Sequence, residues 1–453
     1  MNRRVVTLTR EFGRELNSSA RRGRKPRAQR DAVSLLSVYA FLLLLVPSRL
    51  VFKPLGGNGT PALVVGLIAL VLWCAARRPE NDRTLRARPV RFAILVYVAA
   101  DVTSYALSML HALDPAEIRS ADRSLLALGA AAGIALCAAD GIPSRDRLEK
   151  LLSRIVIFAS LGAAIAALQF FGFDLTKHFY VPGLHATSEL GAGAIRSSFH
   201  RVAGTARHPI ELGATLAMVL PISLHFAFKA QGREKLWRWA CVALIGLAIP
   251  MSLSRTAIVG VLIVIIVLLP TYSPVRQRGA LVIGGAWTVL MWLAVPGLVG
   301  TLGSLFANYG TDASVTDRTA RYSRIGGLLR HHVFFGRGLG TFIPEKYFVL
   351  DNQYIASTLE VGIVGLCALI FVMLVSFGCA RGARRLFKDP VSRDLAQSVA
   401  AASAVPLVVF ATFDALSFPM IPGLMFLLLG CNGALWRLAR PAWRPAIAGA
   451  APP

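Results

Sequence analysis

Charge is scarce in this 453-residue chain. Only 16% of its residues are Asp, Glu, Lys or Arg, against roughly 25% in an ordinary soluble domain. With 55% hydrophobic residues, that shortage excludes a disordered chain and speaks against a soluble one. Acids are scarcer still: 24 Asp and Glu stand against 49 Lys and Arg, a net charge of +25. The six cysteines (Cys74, Cys137, Cys241, Cys367, Cys379, Cys431) all fall in apolar runs. That placement excludes a disulfide framework, and no metal-ligand spacing is present. There is no P-loop, Gly-x-Ser-x-Gly elbow or His-Glu-x-x-His motif. No basic stripe is interleaved with aromatics, so nucleic acid is not an expected partner.

What the chain has in abundance is apolar runs. A bilayer core of roughly 30 Å needs about 20 apolar residues in a helix. Twelve runs approach this: 32–52, 58–76, 92–113, 124–139, 151–173, 209–228, 239–253, 256–270, 280–300, 353–379, 395–417 and 420–436. They predict an all-α polytopic integral membrane protein of about twelve transmembrane helices. Ten cations crowd the first 31 residues, and no cleavage-type sequence follows the first apolar run, so an uncleaved cytoplasmic tail is expected. With that terminus inside, 33 of the 49 cations fall on inside segments and 15 on outside ones. This is the positive-inside rule, and it puts both termini in the cytoplasm. The expected domains are a basic tail at 1–31, one helical domain at 32–436 and a second cytoplasmic tail at 437–453. Two long outer-face loops, 174–208 and 301–352, are expected to carry short helices, because both contain apolar and aromatic residues. No internal repeat is found, which weakens an inverted-repeat transporter reading.

The outside cations are exceptions to the charge rule. Arg196, Arg201 and Arg207 precede the sixth run. Arg318, Arg321, Arg324, Arg330 and Arg337 occupy the last long loop. Arg255 stands alone at the tip of an apolar hairpin, Ser252-Leu253-Ser254-Arg255-Thr256, 17 residues after Arg238. A helix covers about 26 Å over that distance, so the tip is expected at or just below the outer headgroups. A charge there either snorkels to lipid phosphate or serves a function. With the hydroxyls of Ser254 and Thr256 beside it, the expected site binds an anion facing the outer leaflet. A guanidinium forks onto phosphate, which favours a phosphate-bearing lipid.

Asp351 and Asn352 stand where the tenth helix begins. They read either as a helix cap or, for Asp351, as a general base at the membrane surface. Glu360 lies deeper in the same helix and reads as a buried structural acid. Asp101 and Asp414 are further intramembrane acids, the latter on the side of the outer loops. His331 and His332 precede Gly336-Arg337-Gly338-Leu339-Gly340, where glycine permits close backbone approach. With no strand before it, this run is not a dinucleotide site.

Three stretches together resemble the family of O-antigen ligases and O-antigen polymerases. The first is Arg201-Val202-Ala203-Gly204-Thr205-Ala206-Arg207-His208-Pro209 and the second is Ser254-Arg255-Thr256. The third runs from His332 through the glycine run to Asp351-Asn352-Gln353-Tyr354 and Glu360-Val361-Gly362-Ile363-Val364-Gly365. The likeness covers roughly 195–370. It implies transfer of a glycan, with inversion, from an undecaprenyl-diphosphate carrier to an acceptor hydroxyl on a glycan or lipid. The reaction would run at the outer face of the cytoplasmic (inner) membrane, with no cofactor and no metal. By this resemblance Arg201 and Arg255 are expected to hold the diphosphate, with Arg207 and Arg337 behind them. Asp351 would act as base, and His332, Asn352 and Tyr354 would line the substrate pocket. Two positions depart from the family pattern: Asp351 stands where ligases carry histidine, and Ile210-Glu211 follow His-Pro where asparagine is expected. The competing expectation is a secondary transporter or lipid-linked glycan flippase.

Overall fold

The computed structural model describes residues 32–57, 59–76, 88–187, 195–196, 199–294, 297, 300 and 332–440. Twelve α-helices lie among them: α1 (Ala32–Leu45), α2 (Pro61–Ala75), α3 (Pro89–Ser108), α4 (Pro115–Gly141), α5 (Arg145–Phe170), α6 (Pro209–Lys229), α7 (Gly232–Met251), α8 (Arg255–Leu268), α9 (Pro274–Ala294), α10 (Gln353–Leu386), α11 (Pro390–Val409) and α12 (Met420–Ala439). Each overlaps one of the twelve apolar runs. Six of them (α3, α4, α5, α6, α10 and α12) are long and apolar enough to cross a membrane, and α1, α2 and α8 are shorter apolar helices. The chain is a mostly helical, multi-pass membrane protein.

Local chemistry sets the helix ends. Proline occupies the first turn of α2, α3, α4, α6 and α11, where its missing N–H costs no hydrogen bond. Asp114 and Glu117 form a capping box on α4. Small residues set the spacing between helices. A Cβ on Gly133 would lie 2.5 Å from the Gly66 carbonyl oxygen, so α4 and α2 touch backbone to backbone, as small-residue seams in membranes do. Deepest in the bundle are α6 and α12, with 83% and 72% of their apolar windows buried.

Short connections make successive helices antiparallel and give the bundle two ends. At one end charge is paired: Arg88 with Asp140 (2.8 Å), Arg145 with Asp389 (2.8 Å), and Arg276 with Asp394 (2.8 Å). Lys229 meets Glu149 there, and buried His225 meets Asp394 at 2.6 Å. This end carries the basic short connections. The opposite end carries the long ones.

The first long connection differs from expectation. Its described part holds one 3-10 turn (Leu175–His178) and short strands rather than α-helices. β2 (His185–Ala186) pairs antiparallel with β1 (Leu50–Val51), and β3 (Ile195–Arg196) with β4 (Phe199–His200). The segment lies against the chain that follows α1, and extended backbone there finds ladder partners that a lone helical turn would lack. Most of the second connection, including Arg318, Arg321, Arg324, Arg330 and His331, lies outside the described residues, as do the terminal segments 1–31 and 441–453. The six cysteines are free thiols.

One helix is broken. Gly362 in α10 has φ 68° and ψ −172°, so two helical pieces meet there. The segment from Val333 to Gly338 enters the gap. Arg337 N–H donates to Leu359 O (2.9 Å) and Gly338 N–H to Glu360 O (2.8 Å); Ile363 N–H donates to Val333 O (3.0 Å) and Val364 N–H to Phe334 O (3.1 Å). Ser104 on α3 adds its hydroxyl to Phe335 O and Glu360 O, at 2.7 and 3.0 Å. Non-helical backbone survives inside a membrane protein only when protein satisfies it, and here both sides of the break are satisfied. The glycine run is therefore structural: it threads a gap between α3, α4 and α10.

Candidate active site

Four stretches converge at the end with the long connections. The first is the arginine–glycine–threonine segment before α6. Gln169, at the end of α5, accepts the N–H groups of Ala203 (3.1 Å) and Gly204 (2.8 Å). The Thr205 hydroxyl donates to Leu44 O at 2.7 Å. His208 caps α6, its Nδ1 accepting from Ile210 N–H at 3.2 Å. Gripped in this way, the segment holds Arg201 and Arg207 on a fixed backbone.

Arg201 reaches the second stretch, the α7–α8 hairpin tip: its Nε donates to Ser252 O at 3.4 Å. The tip is not at a lipid surface. Ser252 and Leu253 are fully buried, Ser254 is 2% exposed and Thr256 is 4% exposed. Neighbouring elements close over these side chains, while Arg255 itself is half-buried. Leu253 has φ 46° and is the one non-glycine residue with positive φ among the described residues. A residue held there costs on the order of 1–3 kcal/mol, and such strain clusters at functional sites. Ser254 is the N-cap residue of α8, yet its side chain makes no cap hydrogen bond. Its hydroxyl is buried with no hydrogen-bond partner among the described residues. The start of α8 thus brings together helix N–H groups that its cap side chain does not bond, a Ser254 hydroxyl without a partner among the described residues, and Arg255, with Arg201 bonded to Ser252 O. Thr256, by contrast, is committed to Thr412 at 2.8 Å.

The turn after α11 joins this tip to the third stretch, the start of α10. Gln353 N–H donates to Phe410 O (2.8 Å) and Phe413 O (3.1 Å), and the Gln353 side chain accepts Leu416 N–H at 2.8 Å. The two ends of the 410–413 turn thus hold α8, through Thr412, and α10, through Gln353. Asn352 is the cap of α10, accepting from Tyr354 N–H (3.0 Å) and Ile355 N–H (3.3 Å). Asp351 lies one residue outside the helix and is half-buried; the capping reading belongs to Asn352 alone. The Tyr354 hydroxyl is spent on Leu407 O at 2.6 Å.

The fourth stretch, 332–350, is pinned to α4. Arg337 donates to the Tyr347 hydroxyl (2.5 Å) and lies 3.5 Å from Glu117, and the Tyr347 hydroxyl donates to Glu117 at 2.7 Å. Lys346 bonds Asp114 and Glu117, and the bond to Asp114 holds its amine above the usual lysine value. These partners tie Arg337 to the clamp on α4, separately from the contact between Arg201 and Ser252. His332 meets His111 edge to face at 6.0 Å. Arg207 turns its Nη1 toward Gly57 O at 3.4 Å.

Two residues matter more than the sequence indicated. Gln353 stitches α10 to the turn after α11. Glu211, fully buried, accepts Arg207 N–H (2.7 Å) and Met420 N–H (2.6 Å), joining the starts of α6 and α12. The departure after His-Pro is thus a structural staple. Its only signal in sequence was an acid where an apolar run begins. Glu211→Ala would strip two buried donors of their acceptor. Each charge-assisted bond contributes roughly 1.5–3 kcal/mol, so a fall in the detergent unfolding midpoint is expected. Glu211→Gln, which still accepts, should lose less.

No curated protein matches the chain. Residues 239–370 match the family model described as O-Antigen ligase. That stretch contains the hairpin tip, the inserted glycine run, Asp351 and the break in α10, and over these residues the chain is similar to the O-antigen ligase family.

Proposed function

We propose that the protein moves a glycan from an undecaprenyl-diphosphate carrier to an acceptor hydroxyl, as a polysaccharide polymerase or ligase. The likeness of residues 239–370 to that family supports a glycan-transferring membrane enzyme of polysaccharide assembly. The finer reading is carried by one observation: the start of α8, without a side-chain cap, where the buried Ser254 hydroxyl has no partner among the described residues beside Arg255 and Arg201 is bonded to the same turn. Such a turn suits a diphosphate leaving group. The acceptor oxygen bonds the anomeric carbon as the bond from that carbon to phosphate oxygen breaks, which inverts the centre. Asp351 takes the acceptor proton, and the diphosphate leaves with the electron pair onto Arg201 and Arg255. Fixed donors aimed at developing charge are each worth roughly 2.7–4 kcal/mol in such sites. Arg207, whose Nη1 turns toward Gly57 O, is a second candidate for the diphosphate. His332, Asn352 and Tyr354 act by holding the surrounding backbone. In this reading no metal takes part. All twelve helices of the 32–436 domain cross the inner membrane, both tails are cytoplasmic, and the site opens to the outer face.

The test is transfer by purified protein given a lipid-linked glycan and acceptor, without ATP or an ion gradient. Arg255→Ala and Arg201→Ala should each lower the rate by about 10²–10³-fold in protein that still elutes as a folded particle. Gradient-driven movement of the lipid with no new glycosidic bond would sink the enzyme reading. It would favour the transporter or flippase, which has the break in α10 beside Asp101 and Glu360 on its side. Against that alternative stands the filled break, whose Leu359 and Glu360 carbonyls are already bonded to the inserted segment.

A further inference from the structure

A cavity of about 290 Å³ lies between α3, α4, α10 and α12. Three carboxylates line it: Asp101, Glu360 and Asp414. Among the described residues no Lys, Arg or His lines it, in a chain of net charge +25. Asp101 is 1% exposed and hydrogen-bonds Tyr97, while its Oδ1 has no hydrogen-bond partner among the described residues. The Glu360 carboxylate holds the N–H groups of Gly340 and Phe342, which fixes it on the wall. Ser120, Ser124, Tyr39, Tyr97 and Phe348 line it too, and aliphatic residues such as Leu43, Leu128 and Val361 cover much of the remainder.

This chemistry selects its occupant. Among the described residues no cationic side chain lines the cavity to hold a phosphate, so the diphosphate does not belong here. Among the described residues no three His, Cys, Asp or Glu side chains converge to hold a metal ion. Acceptor-rich walls with aromatic faces fit a group that is rich in hydroxyl donors and has apolar C–H faces, namely a pyranose ring. The cavity also adjoins the proposed reaction centre. Leu350 and Gln353, which flank Asp351, line it. Phe418 lines it as well and lies 5.9 Å, ring to ring, from His208.

We propose that this acid-lined cavity is a saccharide subsite that holds a sugar ring beside Asp351, apart from the arginines that hold the diphosphate. The proposal rests on the glycan-transfer reading above and adds where the sugar sits. The ring can come from the lipid-linked donor or from the acceptor.

Dicyclohexylcarbodiimide labelling of Glu360, read by mass spectrometry on the full chain in lipid nanodiscs, tests it. Three probes are compared: the organism's own lipid-linked glycan, the oligosaccharide released from that lipid, and sugar-free undecaprenyl diphosphate. Protection at least fivefold by a sugar-bearing probe and none by the sugar-free lipid is the expected result. Protection by the released oligosaccharide points to the acceptor, and protection by the lipid-linked glycan alone points to the donor. Equal protection by sugar-free lipid, or no protection by any probe, overturns the subsite. Transfer is assayed in the same nanodiscs. Transfer without sugar protection defeats the subsite and leaves the enzyme standing, whereas absence of transfer defeats the enzyme itself. In the transfer assay Asp414→Asn should raise KM for the sugar-bearing partner about tenfold, the effect of one charge-assisted hydrogen bond, with kcat within about threefold. Ala127→Leu, which narrows the cavity, should abolish the protection. An unchanged KM in Asp414→Asn would contradict the proposal even if Ala127→Leu fails to fold.

Discussion

Asp351→Asn is expected to lower kcat for glycan transfer by roughly 10²–10⁴-fold, the usual contribution of a positioned general base, with the unfolding midpoint unchanged. The expectation is sharp because the helix cap and the proposed base are different residues. Asn352 supplies the oxygen that accepts Tyr354 and Ile355 N–H, so the amide at 351 takes nothing from the cap. The new side chain keeps the shape of the old one and loses its charge and its ability to take a proton. Asn352→Ala should behave in the opposite way. It removes the cap at a cost of about 1 kcal/mol, lowers the midpoint and leaves most of kcat. Single-turnover transfer and thermal unfolding, measured on the same two preparations, separate these outcomes. Full activity in Asp351→Asn would remove the carboxylate from the chemistry and leave the arginines as the only catalytic groups proposed.

The helices were legible in the sequence because each rests on a local property, an apolar run with punctuated ends. Even so, composition alone credits only six of them with a crossing. The others are short, like α1 and α8, or too polar near their ends, like α7 with its Arg233, Lys235 and Arg238. Arg255 was legible as an anomaly of charge. The burial of its neighbours Ser254 and Thr256 was not, because burial of the tip depends on which helices close over it. Distance along a helix locates a residue in depth and says nothing about its neighbours. The capping question at 351–352 needed one residue of register, finer than an apolar run can give. The acid-lined cavity was least legible of all. Asp101, Glu360 and Asp414 are far apart in the chain and belong to α3, α10 and the turn before α12. Each looked like a separate intramembrane acid until the packing brought them onto one wall.

Gly362→Ala is expected to be the most damaging single methyl addition in the protein. A Cβ there would lie 2.2 Å from Phe334 O and 2.5 Å from Phe335 N, at a residue with φ 68°. The left-handed conformation alone costs an L-residue roughly 1–2 kcal/mol, and overpacking typically adds another 1–3 kcal/mol. Neither cost can be relieved easily. The atoms in the way are backbone, and moving them breaks the four hydrogen bonds that close the gap in α10. Gly336→Ala should do similar harm, since its Cβ would lie 2.3 Å from Glu360 O. Gly378→Ala is the control: it lies in the same helix with nothing within 4 Å of the added carbon, and alanine there should be neutral or stabilise by about 0.5–1 kcal/mol. Fluorescence-detected size exclusion in mild detergent separates the three, with a monodisperse peak for Gly378→Ala and aggregation for the other two. The consequence reaches the proposed chemistry. The inserted segment continues through the clamp on α4 to Asp351, so expelling it from the break would release the segment that leads to the base. Should Gly362→Ala elute as a normal particle with normal transfer, the insertion would not be what holds Asp351 in place, and its support would have to come from Gln353 and the turn after α11 alone.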